Sequence, residues 1–224
     1  DMSNAVATID DAVSLSEAEG LDKLTEGKIT LSAVKDTYAN VQEVKKIDDA
    51  RVDMGAANVQ VTSQTNITEI NDLRGDTAGN ITIDDVSESK ANLETINGYG
   101  DVSLASADIS VTDVVTKDQA DDIHGYNTAA GTTVTLTAVS DSFNNIDSLQ
   151  GTDGVVMTGA TITATSAQAV TKANVTRLDG FTNALVTVAS VKDTKSNVTD
   201  IAGLAGVDMS NAVATIDDAV SLSE

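Results

Sequence analysis

The chain of 224 residues contains no cysteine, no proline and no tryptophan, and only 2% of its residues are aromatic. Without cysteine there is no disulfide, no thiolate metal ligand and no catalytic thiol. Lys and Arg number 13 against 35 Asp and Glu, which gives a net charge of −22. Nucleic acids and anionic membranes are bound by clustered cations, so this balance excludes both partners. No apolar run reaches the roughly 18 residues of a membrane span, and we expect no membrane insertion.

What the chain does contain is a copy of its own beginning. Residues 1–17 read DMSNAVATIDDAVSLSE, and residues 208–224 repeat these letters unchanged at an offset of 207 residues. Such a repeat indicates either a longer tandem array with this period or one period followed by an overlap. We therefore divide the chain into one period, residues 1–207, and the start of the next identical period, residues 208–224.

A shorter repeat lies inside the period. Apolar–polar–apolar triplets with β-branched residues, typical of half-buried strands, recur along the chain. They end at Ile9, Leu31, Val61, Ile83, Val111, Leu136, Ala164, Val188 and Ile216, at spacings of 22 to 30 residues. Eight repeats thus fill the 207 residues, and alternating short and long spacings group them in four pairs. The long repeats carry a second apolar stretch, beginning at Val52, Val102, Val155 and Val207, which predicts an extra short strand in every second repeat.

A polar pattern follows the main strands, as in VKDTYANVQEV: Ser or Thr, two residues, Asn, and then apolar residues three apart. A hydroxyl in the first position can accept the free N–H groups of a short helix. The predicted helix caps are Thr37, Ser63, Ser89, Ser142, Thr171 and Thr194. The Asn position is filled by Asn40, Asn66, Asn92, Asp122, Asn145, Asn174 and Asn197. Stacked at the ~4.8 Å spacing of paired strands, these side chains would form a structural Asn ladder.

Each repeat is thus predicted to be a strand, a capped helical turn and a return segment. One such repeat cannot bury its apolar stripe alone, whereas a stack of them can. Parallel strands joined by a crossover are almost always connected in the right-handed sense. These observations predict an α/β solenoid that is right-handed, with a parallel β-strand face, short capped helical turns and eight coils in each 207-residue period.

The frame VKDTYANVQEV resembles the repeats of very large secreted bacterial surface proteins of the hemolysin-type and giant-adhesin class, which run VTDTAANI. The resemblance covers all eight repeats. It implies an extracellular or cell-surface location and a non-catalytic extension or surface layer. The calcium-binding Gly-Gly-x-Gly-x-Asp nonapeptide of that class is absent from this sequence. The resemblance therefore does not carry calcium-driven folding over to this segment.

The remaining residues do not favour an enzyme. His124 is the single histidine, and it precedes a Gly at a predicted helix end. The paired acids Asp10–Asp11, Asp48–Asp49, Asp84–Asp85 and Asp121–Asp122 have no Arg beside them in sequence. We expect no cofactor, although hard oxygen ligands such as Asp10 and Asp84 leave calcium as an open alternative.

Two functions remain after these exclusions. The first is a structural tandem-repeat segment of an extracellular fibre, surface layer or adhesin stalk, whose partners are copies of itself, in tandem or end to end. The alternative is a carbohydrate- or surface-binding solenoid module. The few aromatics, Tyr38, Tyr99 and Tyr126 among them, argue against it, because sugar platforms usually use aromatic rings.

Overall fold

The structure is a computed structural model, and it describes residues 4–47 and 51–218. Within these residues the protein is of the α/β class, with eight helices and with twelve of its fourteen strands in a parallel sheet. The helices are α1 (Leu15–Asp22), α2 (Tyr38–Lys46), α3 (Ile67–Asp76), α4 (Lys90–Asn97), α5 (Lys117–His124), α6 (Phe143–Gln150), α7 (Lys172–Asp179) and α8 (Lys195–Ala202). The long strands are β1 (Ala7–Val13), β2 (Ile29–Asp36), β4 (Asn58–Thr65), β5 (Ile81–Glu88), β7 (Asp108–Val115) and β8 (Val134–Asp141).

The shorter strands complete the pattern. They are β3 (Val52–Asp53), β6 (Val102–Ser103), β9 (Val155–Val156), β10 (Thr161–Ala164), β11 (Val186–Val188), β12 (Ser190–Asp193), β13 (Val207–Asp208) and β14 (Val213–Ile216). All nine predicted triplets lie in strands, which confirms their positions. The four predicted extra strands are β3, β6, β9 and β13, and these are confirmed as well.

The extra strand changes how a long repeat covers the strand before it. β3 pairs with the beginning of β2, with Ile29 opposite Val52. β4 then pairs with the end of β2, with Val34 opposite Val59. Since β2 is eight residues long, two segments of the next repeat share its edge. The extra residues of a long repeat are therefore part of the sheet and not a loop.

The chain divides into two compact parts, Asp1–Ile109 with Tyr126–Thr132 and Ser110–Gly125 with Thr133–Glu224. In the first part the strands run in the order β1-β2-β4-β5, with β3 on β2 and β6 on β5. In the second part, to which β7 belongs from Ser110 onward, the order is β7-β8-β10-β11-β13, with β9 on β8, and β12 and β14 form a separate parallel pair.

Each part has its own aliphatic core, formed by the inward side chains of its strands and helices. In the first part Ile83, Leu93 and Ile96 have no exposed surface. In the second part Ile146 and Leu149 have none either. Burying one such side chain stabilises the fold by roughly 1.5–3 kcal/mol. The apolar residues three apart after each cap thus form the helix face that packs on the sheet.

Candidate functional site

The predicted helix caps stand next to the contacts that hold the repeats together. Five of the six are N-caps, and each accepts a hydrogen bond from the backbone N–H three residues later: Thr37, Ser89, Ser142, Thr171 and Thr194. The prediction is wrong at Ser63, which lies in β4, because Asn66 caps α3 instead. Glu69 stabilises this later start by accepting from the Asn66 N–H, at 3.0 Å.

The prediction of an Asn ladder is wrong, because its members bond within their own repeats. The side-chain amides of Asn40, Asn92, Asn145 and Asn197 each donate to the carboxylate four residues earlier, at 2.7 to 2.9 Å. The Asn174 Oδ1 accepts from the Thr171 N–H in a capping box. Asn66 is a cap, and Asp122 lies in the last turn of α5. Thr116 caps α5 and places Gln119 at the third helical position, so the predicted slot is three residues off there.

The carboxylates that receive these amides make the contact between successive repeats. We call Asp36, Glu88, Asp141 and Asp193 the bridging carboxylates. They stand directly before the caps of α2, α4, α6 and α8, which is every second helix. In each, one oxygen accepts from its own cap's N–H and from the Asn amide. The other oxygen accepts the first N–H of the helix in the preceding repeat, on Leu15, Ile67, Lys117 and Lys172 respectively, at 2.8 to 3.0 Å. One side chain therefore joins two repeats.

Asp141 shows the electrostatics of this contact. Burial by itself would raise the pKa of Asp141, but the N–H groups of Lys117 and Ser142 and the Asn145 amide donate to its carboxylate. Together they outweigh burial and hold the pKa of Asp141 below its usual value. Each donor stabilises the ionised form, and a helix N-terminus adds its dipole in the same sense.

The other three bridging carboxylates behave in the same way. Burial raises the pKa of Asp36 and of Glu88, and the hydrogen bonds that each accepts lower it further than burial raises it. At Asp193 the Lys172 N–H has the largest effect, followed by the Asn197 amide and the Thr194 N–H, and the pKa is again lowered. The sequence contains the signal for this contact, an acid directly before the cap in VKDTYAN, VSESKAN, VSDSFNN and VKDTKSN. The cap-and-Asn frame alone missed it.

A second contact closes each short repeat on itself, and its members are the closing residues Thr25, Thr77, Asn127 and Thr182. These polar side chains are at most 9% exposed. Each donates to the carbonyl of an Ala that precedes the main strand, on Ala5, Ala57, Ala107 and Ala160, at 2.6 to 3.3 Å. The hydroxyl of Thr77 also accepts from the Gly79 N–H, at 3.0 Å. Because a buried polar group without a partner is costly, this pairing fixes the path of the return segment.

The glycines after two closing residues are required by the same contact. A Cβ on Gly27 would lie 2.2 Å from the Ala5 carbonyl oxygen, and one on Gly79 would lie 2.1 Å from that of Ala57. Both distances are far below van der Waals contact with backbone atoms. The return segment therefore passes directly against the start of its own repeat.

The second copy of the repeated segment packs on the repeat that contains α8. β13 pairs with β11, and β14 pairs with β12 in parallel, with Val191 opposite Ala214. The Asp218 carboxylate accepts the first N–H of α8, on Lys195, at 2.8 Å. Asp218 thus occupies the place that a bridging carboxylate has elsewhere. Asp217 lies 3.7 Å from the Lys192 ammonium.

The two copies of the segment pair with their neighbours through opposite strand edges. In the first copy the Ala7 N–H donates to the carbonyl of Lys28, the residue directly before β2 of the same sheet, at 2.9 Å. In the second copy the Val213 N–H, which corresponds to that of Val6, donates to the carbonyl of Ala189, between β11 and β12 of the preceding repeat, at 3.0 Å. Neighbouring residues of a parallel strand point their N–H groups to opposite sides, so these contacts do not compete.

Burial supports this interpretation. The residue that ends each triplet is at most 2% exposed at the seven interior positions, Leu31, Val61, Ile83, Val111, Leu136, Ala164 and Val188. Only the two equivalent residues of the repeated segment, Ile9 and Ile216, are half-buried among these nine. Each of the two is covered by a neighbouring repeat on one edge.

Most ion pairs between distant residues also join neighbouring repeats. Arg74 lies over the Tyr99 ring at 3.8 Å from its centroid and contacts Asp101 at 2.9 Å. Equivalent pairs are Lys28–Asp53, Lys45–Asp76, Arg51–Asp22, Arg177–Asp147 and Lys172–Asp200. An exposed pair contributes only about 0–1 kcal/mol. The few cations of this acidic chain are thus mainly placed where repeats meet.

The other residues considered from the sequence lie on different elements of the described part of the chain. His124 is the last residue of α5, and Gly125 caps that helix. Asp10 accepts from Ser32 and Asp84 from the Gln60 amide. Across residues 4–47 and 51–218 no group of three or more acidic, His or Cys side chains is arranged to hold a metal ion. The pair Asp48–Asp49 lies outside the described residues.

A polar groove of about 420 Å³ lies between α2 and α3. It is lined by Gln42, Lys45, Asn71, Asp72 and Asp76. Its side chains bond to protein groups: Gln42 and Lys45 contact Asp76, and Asp72 accepts from the Tyr38 hydroxyl at 3.0 Å. The groove therefore offers a carbohydrate few uncommitted polar groups.

Comparison with protein-family models, with curated proteins and with solved structures gives no match to this chain. Its candidate site is accordingly defined by geometry alone, as the set of contacts between successive repeats. In the part of the chain that the structure describes, no helix is long and apolar enough to cross a membrane.

Proposed function

We propose that the chain is a structural segment of a tandem-repeat array. In this proposal it forms a right-handed solenoid of eight coils per 207-residue period and is part of an extracellular fibre, surface layer or adhesin stalk. The extracellular location rests on the resemblance of its repeats to those of secreted surface proteins and on the acidic, cysteine-free composition.

One observation carries the proposal: the repeated segment uses one strand edge in its first copy and the opposite edge in its second. Residues 7–13 pair with the following repeat, and residues 213–216 pair with the preceding one. A segment placed between two repeats could make both sets of contacts together. Such a contact would continue the sheet from one period into the next. It would join two periods, just as the bridging carboxylates join successive repeats within each part.

The proposal is tested by comparing chains of one and two periods. Eight repeats stacked at the ~4.8 Å strand spacing add roughly 38 Å along the stacking direction. We expect the maximum dimension from small-angle X-ray scattering to increase by about this amount with the second period. An increase much larger than this, as from two bodies on a flexible tether, would contradict a continuous solenoid.

A further inference from the structure

One surface of the protein is formed by β11, β12 and the first N–H of α8. The segment that covers this surface is the repeated one, which has an identical copy at residues 1–17. We call this surface the docking face. It is covered by β13, β14 and Asp218. We propose that the docking face also accepts residues 4–11 of a second copy of this protein, so that two molecules join head to tail. This inference rests on the proposed function, because it uses the contact that continues the array.

The register of the intermolecular contact follows from the offset of 207 residues. Ser190, Val191, Lys192 and Asp193 lie opposite Val213, Ala214, Thr215 and Ile216. In the second molecule the same places are taken by Val6, Ala7, Thr8 and Ile9. Asp11 would accept the Lys195 N–H as Asp218 does, and Asp10 would lie near Lys192 as Asp217 does. The contact thus sets two carboxylates against an ammonium group and a helix N-terminus.

The first copy is able to make this contact because its strand is an edge strand. β1 ends the strand order of the sheet, with β2 on its paired side. Val6 is 75% exposed and Leu24 is 65% exposed. Leu24 lines an open groove of about 440 Å³ together with Ile9 and Leu21. An edge strand flanked by exposed apolar side chains is a template for pairing with another chain.

Residues 208–218 of the same molecule compete for the docking face. A segment attached to its own site acts at a high effective concentration, in the millimolar range for a short tether. Exchange between molecules should therefore increase when the attached copy is weakened. Ile216→Asp does this selectively, since it places a charge in the second copy and leaves residues 4–11 unchanged. Ile216 is only half-buried, so the rest of the fold is preserved.

Because the chain has no cysteine, the contact can be trapped by engineered disulfides. Opposite residues on paired strands lie about 4.8 Å apart, within the range that a disulfide spans. One full-length variant carries Lys192→Cys and Ile216→Asp, and the other carries Thr8→Cys and Ile216→Asp; the two are mixed and oxidised. We expect a cross-linked dimer of the two, about tenfold more abundant than with Ile216 intact, the change that ~1.4 kcal/mol of lost intramolecular docking gives.

Two controls make the result decisive. In the first, Thr161→Cys on β10, which is also an exposed position, replaces Lys192→Cys and should give little cross-linking with Thr8→Cys. In the second, Lys192→Cys and Thr215→Cys in one chain with Ile216 intact should form an internal disulfide. An internal disulfide without dimers above the Thr161 control would overturn the exchange alone. Absence of the internal disulfide would contradict the docking face itself, and with it the contact on which the proposed function depends.

Discussion

At the scale of single residues, a bridging carboxylate connects two repeats through three hydrogen bonds. At Asp141 the donors are the Lys117 N–H of the preceding repeat and the Ser142 N–H and Asn145 amide of its own. Bonds to an ionised acceptor are roughly twice as strong as neutral ones. The same arrangement recurs at Asp36, Glu88 and Asp193, so a change at one of them tests the contact in general.

We predict that Asp141→Asn destabilises the protein by about 1–2 kcal/mol at neutral pH, because an amide has one acceptor oxygen and no charge. The matched control is Asp153→Asn, which removes the same charge at an exposed turn position and should change stability by at most about 0.5 kcal/mol. The measurement is the urea dependence of unfolding. Equal effects of the two substitutions would mean that the loss comes from net charge alone.

The pH dependence of this difference has a defined sign. The folded-state pKa of Asp141 lies below its usual value, so its contribution is present above the unfolded pKa of about 3.9 and is lost as the pH falls through the folded value. The stability gap between the wild type and Asp141→Asn should therefore be constant from neutral pH to about 5 and close below about 4. A gap that stayed constant down to pH 3 would show that the carboxylate charge does not matter.

Residue roles were predictable from the sequence only where they depend on local spacing. The caps at Thr37, Ser89 and Ser142 follow from a hydroxyl three residues before an Asn, and they are found. The sequence predicts that the Asn side chains meet across repeats, but four of the amides bond to the carboxylate four residues earlier in their own repeat. The acid directly before the cap is visible in the sequence, but the donor that another repeat supplies to it, such as the Lys117 N–H at Asp141, follows from no local spacing.

At the scale of elements, two glycines in the first part of the chain have different surroundings. Substituting one tests helix propensity, and substituting the other tests close packing. Gly75 lies in α3, and a Cβ added there would have no neighbouring atom within 4 Å, whereas a Cβ on Gly79 would meet the Ala57 carbonyl oxygen at 2.1 Å. We predict that Gly75→Ala stabilises the protein by about 0.5–1 kcal/mol, since Ala has the higher helix propensity.

For Gly79→Ala we predict a loss of more than about 2 kcal/mol, because the return segment must move away and Thr77 then loses its bond to Ala57. Thermal or urea unfolding of both variants measures the contrast. If Gly79→Ala were tolerated as well as Gly75→Ala, the closing contact would not fix the path of the return segment.

The positions of the strands could largely be predicted from the sequence, because their apolar periodicity is strong. The triplets and the extra strands of the long repeats, such as β3 and β6, lie where the apolar pattern indicates. The pattern does not specify register across repeats. The pairing of β2 with both β3 and β4 arises from the length of β2 and from the turn between the two later strands. Only the neighbouring repeat determines which half of a strand each segment covers.

At the scale of the whole molecule, continuous stacking requires the repeated segment to be a repeat like the others. Its two copies are half-buried at Ile9 and Ile216, where seven equivalent positions are buried. In a chain of two periods, the copy at the junction should be covered on both edges. The copy at residues 4–11 of the same chain would remain an edge strand.

Hydrogen–deuterium exchange in a two-period chain tests this most directly, because two identical sequences have the same intrinsic exchange rates. Peptides from the junction are distinguished by the preceding Gly206 and Val207. Continuous stacking predicts that the amides of residues 213, 215 and 217, which face the preceding repeat, exchange slower than those of residues 6, 8 and 10 by on the order of 100-fold, since only the junction strand is paired on that edge. Equal exchange of the two copies would contradict continuous stacking from one period into the next.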